Sequence, residues 1–363
     1  MSGRATGPTP LRANVADRPH NPGVEITEID PGDDERIAMA AALAAAARAA
    51  HAPGGQPIIE ASFAATVLNP EPGHAASHFA AIVDERVIGY LRLEVAPENP
   101  QRVVGNLLVH PDHRCNGYGT ALLEFALDRC RAEGREVLAL STIAALEGGP
   151  ERSSAGTRFL QRHGFALALD LVRRRAAADA PGPEAEARLR DEAQAASAAD
   201  YAVRDWVGPV PEDLLASMCR MDAMVLREVP MGDLDMAPEQ VDAARLRAKE
   251  AVVRAHRKTS VHAVALHRAT GEVVAHSRVD AYDLPEARHC HVAITIVDPA
   301  HRGHRLGLLV KLANLRLLRE RFPHVTEIWT ANAAVNTAMI AINERLGYRP
   351  VESTGIYQRP VRA

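Results

Sequence analysis

Two spacings of apolar residues alternate along this chain, and the same succession of them occurs twice. The runs Ala80–Val83 and Val87–Leu91, separated by the polar pair Asp84 and Glu85, predict a hairpin. A further strand is expected from Val103 to Val109. The spacing then becomes helical: Leu122, Leu123, Ala126, Leu127 and Cys130 fall on one face, and Gly134 is placed to end the helix. In the second half, Val261–Leu266 and a run from Val273 flank Thr270 and Gly271. A strand from His291 to Val297 follows, then a helix with Leu308, Leu312 and Leu315 on one face, stopped by Pro323. The strand Glu327–Thr330 leads into a helix read over Asn332–Leu346. Each half therefore reads hairpin, strand, helix, strand, helix.

The two series match residue by residue where they turn from strand to helix. Val109, Pro111, His113 and Arg114 correspond to Val297, Pro299, His301 and Arg302, and Gly119 corresponds to Gly307. Arg114 and Arg302 lie 188 residues apart, and a later Gly-aromatic pair, Gly164-Phe165 and Gly347-Tyr348, lies 183 apart. So steady an offset is the mark of a duplicated domain. The division expected is a disordered tail over 1–21, a first domain over 22–175, a linker over 176–200 and a second domain over 201–363. The linker is read from its Ala, Glu and Pro content, including Pro181-Gly182-Pro183. The alanine-rich stretch Ala38–Ala50, broken by Arg48, reads as an ordinary helix.

Composition narrows the function. With 42 basic against 46 acidic residues, the formal net charge is −4, so there is no basic field to hold a polyanion and nucleic acid is not an expected partner. No apolar run is long enough to span a bilayer and no signal-peptide core is present, so a cytoplasmic protein without membrane contact is expected. Cys115, Cys130, Cys219 and Cys290 are too far apart for a C-x-x-C redox or zinc pair and read as reduced thiols.

The candidate chemistry lies at the strand-to-helix turn. Arg114-Cys115-Asn116-Gly117-Tyr118-Gly119, followed by Thr120, sits where unpaired N–H groups and the positive end of a helix dipole converge, a place that binds phosphate oxygens. The glycines let the backbone come close to a diphosphate. This spacing, after a V-x-P-x-H segment and before an apolar-striped helix, resembles the pyrophosphate loop of the GNAT superfamily of acyl-CoA N-acyltransferases. The resemblance covers both halves, from about Val24 to Arg175 and Ala202 to Arg359. It implies a fold class of α/β in its α+β form, with two tandem domains. Each is a mixed sheet flanked by helices that splays after its fourth strand, with the pantetheine arm of acetyl-CoA in the gap. Residues implied to hold the cofactor are Val109 and 114–120 in the first copy. In the second they are Val297, Arg302, Gly303, His304, Arg305, Leu306 and Gly307, with Asn336 from the turn before the last long helix. Arg305 stands where the first copy has Gly117. It either points outward and adds charge toward a CoA phosphate or is a solvated helix-start arginine, and Asn336 can equally be an N-cap.

Amide formation from an amine and a thioester needs a base and a donor to the developing oxyanion. In the family these come from the strand that ends in the shared valine. Counting back six from Val297 reaches His291, expected on the same strand face. The same count from Val109 reaches Val103, which has no proton chemistry. His291 is thus the candidate base, with a satisfied structural histidine as the bland reading. His289 shares its face, but no third ligand at recognisable spacing supports a metal. Leu160 and Asn343 stand where many family members carry a tyrosine acid for the thiolate. The reading is an acetyl-CoA-dependent N-acetyltransferase of a small-molecule primary amine, with its second half expected to be the active one. The tandem layout is also similar to that of the mycothiol synthases, acetyltransferases of a cysteinyl amino-sugar. An acyl-CoA-binding sensor or scaffold is the rival from another class. Neither the acceptor nor the oligomeric state is legible.

Overall fold

The computed structural model describes residues 23–361 apart from 229 and 235, so the expected tail lies outside the described residues. The chain divides into two compact units. Unit 1 takes the described residues up to Asp170, the short segment around Asp233–Ala237 and the chain from Ser353. Unit 2 takes Leu171–Gly232 and Pro238–Glu352.

Unit 1 begins with β1 (Glu25–Glu28), α1 (Asp34–His51) and α2 (Glu60–Leu68). Asp33 caps α1 by accepting the Arg36 N–H at 2.9 Å, and Asp34 and Glu35 against Arg48 and His51 complement its dipole. Then come β2 (Ala75–Val83), β3 (Arg86–Val95), β4 (Arg102–Val109), α3 (Tyr118–Ala132), β5 (Val137–Ala144) and α4 (Ala155–Arg162). The β2–β3 turn places both Asp84 and Glu85 in the left-handed region, at φ 48° and 62°, as a two-residue hairpin demands. Antiparallel pairs run β1–β2–β3–β4, and β4 joins β5 in parallel only over Arg102–Gly105, after which the two strands part.

The next strand, β6 (Ala166–Ala177), leaves unit 1 at Asp170. Unit 2 continues with α5 (Pro183–Ser197), β7 (Tyr201–Val207), α6 (Leu215–Glu228), α7 (Ala243–Ala255), β8 (Lys258–His267), β9 (Val273–Tyr282), β10 (His289–Val297), α8 (Leu306–Arg321), β11 (Glu327–Ala333) and α9 (Thr337–Arg345). Its antiparallel order is β7–β8–β9–β10, and β10 joins β11 in parallel only at His289–His291 before the same parting. The helix expected from Asn332 starts at Thr337, because Asn332 and Ala333 are still paired in β11.

Each sheet is closed by a strand that the repeat assigns to the other copy. In unit 2, Leu171–Ala177 of β6 pairs antiparallel with β11. In unit 1, Ser353–Pro360 of the final strand, β12 (Arg349–Pro360), pairs antiparallel with β5. The strand that the simple repeat assigns to the first copy thus completes the second, and the reverse. The segment expected as a linker is largely structured: α5 buries Leu189 and Ala193 in the core of unit 2, and Glu186 holds Arg190 and Arg319.

In each unit the two sheet faces have separate cores. One packs under the long central helix: α3 against Leu91, Leu93 and Val103 in unit 1, α8 against Ala263, Val279 and Val292 in unit 2. The other packs under the early helices, α1 and α2 in unit 1, α6 and α7 in unit 2. Among the described residues no helix is long and apolar enough to cross a membrane.

Candidate active site

In unit 1 the turn after β4 is built for close approach. Cys115 (φ 65°) and Gly117 (φ 86°) are left-handed, Gly117 is the N-cap of α3, and the first intrahelical bond runs from the Ala121 N–H to the Gly117 carbonyl at 3.0 Å. The N–H groups of Tyr118, Gly119 and Thr120 therefore precede the helix ladder and point out of its N-terminus. A Cβ added at Gly119 would meet only Phe159 at 3.5 Å and Val109 at 3.7 Å, ordinary contacts. Protein packing therefore does not require this glycine. These features fit a phosphate-bearing group, whose oxygens the turn's N–H groups would hold. Arg114 is engaged elsewhere, because its guanidinium folds back to the carbonyls of Val109 (3.3 Å) and Ala47 (3.4 Å), and burial lowers its pKa. Cys115 is exposed, and Asn116 donates to the His113 carbonyl at 3.4 Å.

Unit 2 repeats the turn with less freedom. Gly303 (φ 90°) and Arg305 (φ 54°) are left-handed, and Arg305 is the N-cap of α8, with Leu309 making the first intrahelical bond. A Cβ-bearing residue there costs about 1–2 kcal/mol of backbone strain. The Arg305 guanidinium is paired with Glu192 of α5, which also holds Arg345. Arg302 pairs with Glu228 at 2.5 Å, and Leu306 is buried, so it offers only its backbone. Gly307 is tighter than Gly119, since a Cβ would meet Ile342 at 3.2 Å. His304 lies beside the Tyr201 ring. Asn336 serves as the N-cap of α9, accepting the Met339 N–H at 3.2 Å. Asn343, at the position of the absent tyrosine, is fully buried and donates to Asn332 at 2.6 Å, while Leu160 lies in the core of unit 1.

The fourth strands differ in one decisive way. In unit 1, β4 is regular: Val109 pairs with Gly89 and Val104 with Glu94 without a break. In unit 2, β10 has a β-bulge at Ala293, since Val292 pairs with Val279 but Ile294 with Arg278. The bulge reverses the alternation of faces. His291 is therefore not on the face of Val297, as the even count required. Val292 and Val297 pack toward α8, whereas His291 shares the α6–α7 side with Ile294 and Ile296. Matching the registers makes the counterpart of His291 Val104, 41% exposed, rather than the core residue Val103.

His291 is half-buried and stands across from Asp280. Burial, with Arg173, Lys258 and Arg278 close by, lowers its pKa to about 4 against the opposing pull of Asp280, so the imidazole is neutral at physiological pH. Asp280 itself accepts from Ser260 Oγ at 2.7 Å and lies 3.2 Å from Arg278 Nε. His289 is buried edge-on to Tyr282, and among the described residues no group of three or more His, Cys, Asp or Glu side chains could hold a metal.

Sequence reading missed a second repeat on this face. The registers place His78, Tyr90, Arg92 and Glu94 of unit 1 where unit 2 has His262, His276, Arg278 and Asp280. In each the first imidazole is buried and bonded through Nδ1, to Tyr90 Oη at 2.7 Å or to His276 Nε2 at 3.1 Å. Its Nε2 has no partner among the described residues. Only the His and Arg of this set are identical between copies, and strand pairing was needed to align them.

Comparison with known proteins agrees with this architecture. Residues 42–165 match the acetyltransferase (GNAT) family. A tandem GNAT protein from the clavulanic acid biosynthesis pathway superposes with a TM-score of 0.77 at 23% identity, covering 94% of this chain and 99% of that one. A GCN5-related N-acetyltransferase from Sphaerobacter thermophilus gives 0.62 at 14% identity, over 94% and 96%. Residues 42–165 are thus similar to the GNAT acetyltransferases, and the chain as a whole has the tandem form of that fold. Among individual proteins it is similar to the mycothiol acetyltransferase of Amycolatopsis mediterranei, 28% identical over 78% of this chain and 84% of the relative. It is also similar to that of Nocardiopsis dassonvillei, 26% identical over 88% and 91%.

Proposed function

We propose that this chain transfers an acetyl group from acetyl-CoA to a primary amine of a small molecule, that unit 2 carries the reaction, and that His291 is its base. The observation that carries the assignment is the bulged β10 of unit 2. It turns a neutral imidazole toward the α6–α7 side at the point where β10 and β11 part, and unit 1 has at the same place an unbroken strand with Val104.

Acetyl-CoA supplies an activated acyl group as a thioester; the residues of the chain do the rest. The N–H groups at the start of α8 hold the pyrophosphate, as those of 118–120 do in unit 1. The bulge at Ala293 interrupts the ladder and frees a backbone donor for the negative charge that develops on the acyl oxygen. His291 Nδ1 or Nε2 accepts the proton of the attacking amine. A base with a pKa near 4 suffices, because an amine nitrogen becomes strongly acidic once it bonds to the carbonyl carbon. Unit 1, with a freer phosphate turn and no base, binds acyl-CoA without turning it over.

The mycothiol acetyltransferase relatives, similar over most of the chain, favour the amine precursor of mycothiol as first acceptor to test. The experiment follows thiol release from acetyl-CoA with that amine and a panel of others. Amine-dependent release that disappears in His291→Ala supports the reading. CoA binding without release to any amine would favour a sensor or scaffold.

A further inference from the structure

Lys311 is the strangest residue in the core of unit 2. It lies on α8 beneath the sheet, 5% exposed, and among the described residues its ammonium has neither a hydrogen bond nor a carboxylate. Its one close partner is the ring of Tyr348, 5.2 Å from Nζ to the centroid. An ammonium buried without a counter-charge opposes folding. Unit 1 shows that the fold does not need it: 188 residues earlier, Leu123 fills the same helix position and Ala126 the position of Asn314, both fully buried. The unit with the bulge and His291 is thus the one whose central helix carries a buried lysine.

The cavity that Lys311 lines gives the reason. Its wall includes Val292 and Ile328, with Ser277, Asn314 and Tyr348. Cys290 pairs with Ile328 and His291 with Trp329 in the last registers before β10 and β11 separate. The cavity therefore reaches the apex of the gap from the α8 side, as His291 does from the other. Asn314 donates to the Ser277 carbonyl at 2.7 Å and its Oδ1 has no partner among the described residues, so polar capacity stands open there.

We propose that Lys311 faces the sulfur of acyl-CoA bound in the gap and supplies the proton to the departing thiolate, the role for which Leu160 and Asn343 leave no acid. The inference rests on the reading of unit 2 as the acyl-CoA site. As the C–N bond forms and the C–S bond breaks, the electron pair leaves on sulfur. One Nζ proton passes to it, giving the free thiol and a neutral lysine. The proton taken by His291 from the amine returns through solvent to Lys311, so the enzyme ends as it began. Burial lowers the Lys311 ammonium to about 8, a value suited to giving up a proton near neutrality. The titratable groups facing it are Tyr348 and, beside that ring, the buried Cys290 thiol, both pushed well up by burial.

The test uses the full chain with the unit 1 turn blocked by Gly119→Val, so that the bound thiol observed is that of unit 2. The thiolate absorbance of bound CoA is titrated with Lys311 present and in Lys311→Met, whose folding is checked by thermal melting. An ammonium within about 4–6 Å should make the thiolate appear at least about one pH unit lower than in Lys311→Met. Turnover should fall about tenfold or more in the variant with the KM for acetyl-CoA unchanged, and the alkaline limb of kcat should vanish. Identical thiol titrations in the two proteins would overturn the Lys311 assignment and leave the acyl-CoA site standing. Failure of the Gly119→Val protein to bind CoA would overturn both. A shifted thiol titration without acetylation of any amine would keep the Lys311–sulfur contact and remove the transfer reaction.

Discussion

His291 on β10 stands directly across from Asp280 on β9, and this pairing, not the distance to Val297, sets the sheet face it occupies. Replacing His291 by Ala should lower kcat/KM about 10²-fold or more and leave CoA affinity nearly unchanged. With the imidazole neutral down to about pH 4, the wild-type acid limb should follow the acceptor amine through neutral pH and show the histidine only near pH 4. Initial rates across pH with two amines of different basicity check this. A variant with the wild-type rate and profile would leave His291 structural.

At Gly119 a side chain is compatible with the protein, whereas the proposed diphosphate site calls for bare backbone there. Gly119→Val should fold like the wild type and weaken CoA binding in unit 1 about tenfold or more, as seen by calorimetry. Gly117→Val is the poorer probe, because φ 86° would add about 1–2 kcal/mol of strain. Equal affinities in Gly119→Val and wild type would remove the turn from the site.

Acid should weaken both units before it protonates most carboxylates. Burial holds His78 and His291 at about 4 and His276 at about 3, and pushes His262 well down. Their folded values lie below the ordinary 6.5, so the unfolded chain binds more protons as pH falls from about 6.5 to 4. Each imidazole favours the folded state fully above pH 6.5, and that contribution is lost as pH falls through this range. Urea midpoints should drop steeply between pH 6.5 and 4, and His276→Gln should flatten the unit 2 transition.

Lys311→Leu should stabilise unit 2. The folded ammonium, near 8, lies below its ordinary value of 10.5, so its burial penalty is full below pH 8 and relaxes as pH rises toward 10.5. The variant should gain about 2–3 kcal/mol at pH 7 and lose the advantage in alkali. Denaturant unfolding at pH 7 and 10 reads the difference. An unchanged or lower stability at pH 7 would mean that the ammonium is well solvated.

Removing the chain from Ser353 takes away the strand that pairs with β5. The truncated protein should lose unit 1 preferentially, with early protease cleavage there and slower cleavage in unit 2. A fragment ending at Asp200 should fail for the same reason, although it contains the whole of the first copy as the repeat defines it.

The sequence by itself determined the elements, the duplication and the two strand-to-helix turns. Those signals are local: the spacing of Leu122, Leu123 and Ala126, the positive-φ demand at Gly117, and the shared Val, Pro, His and Arg are each set within a few residues of chain. It also named His291, by a count that is wrong about the face. One extra residue at Ala293 inverts the alternation, and a bulge has no mark in composition, because only the partner strand defines which residue is extra. The strand exchange of β6 and β12 was likewise closed to sequence reading, since any apolar strand of suitable length can close either sheet and the chain path alone decides. That the Asn336 side-chain oxygen accepts the Met339 N–H is likewise visible only in the fold. Lys311 lies in an otherwise apolar helical stripe and reads as one more helix former. Its burial without a carboxylate among the described residues, in a cavity lined by Val292 of β10 and Ile328 of β11, is a property of packing, and tertiary structure alone could decide it.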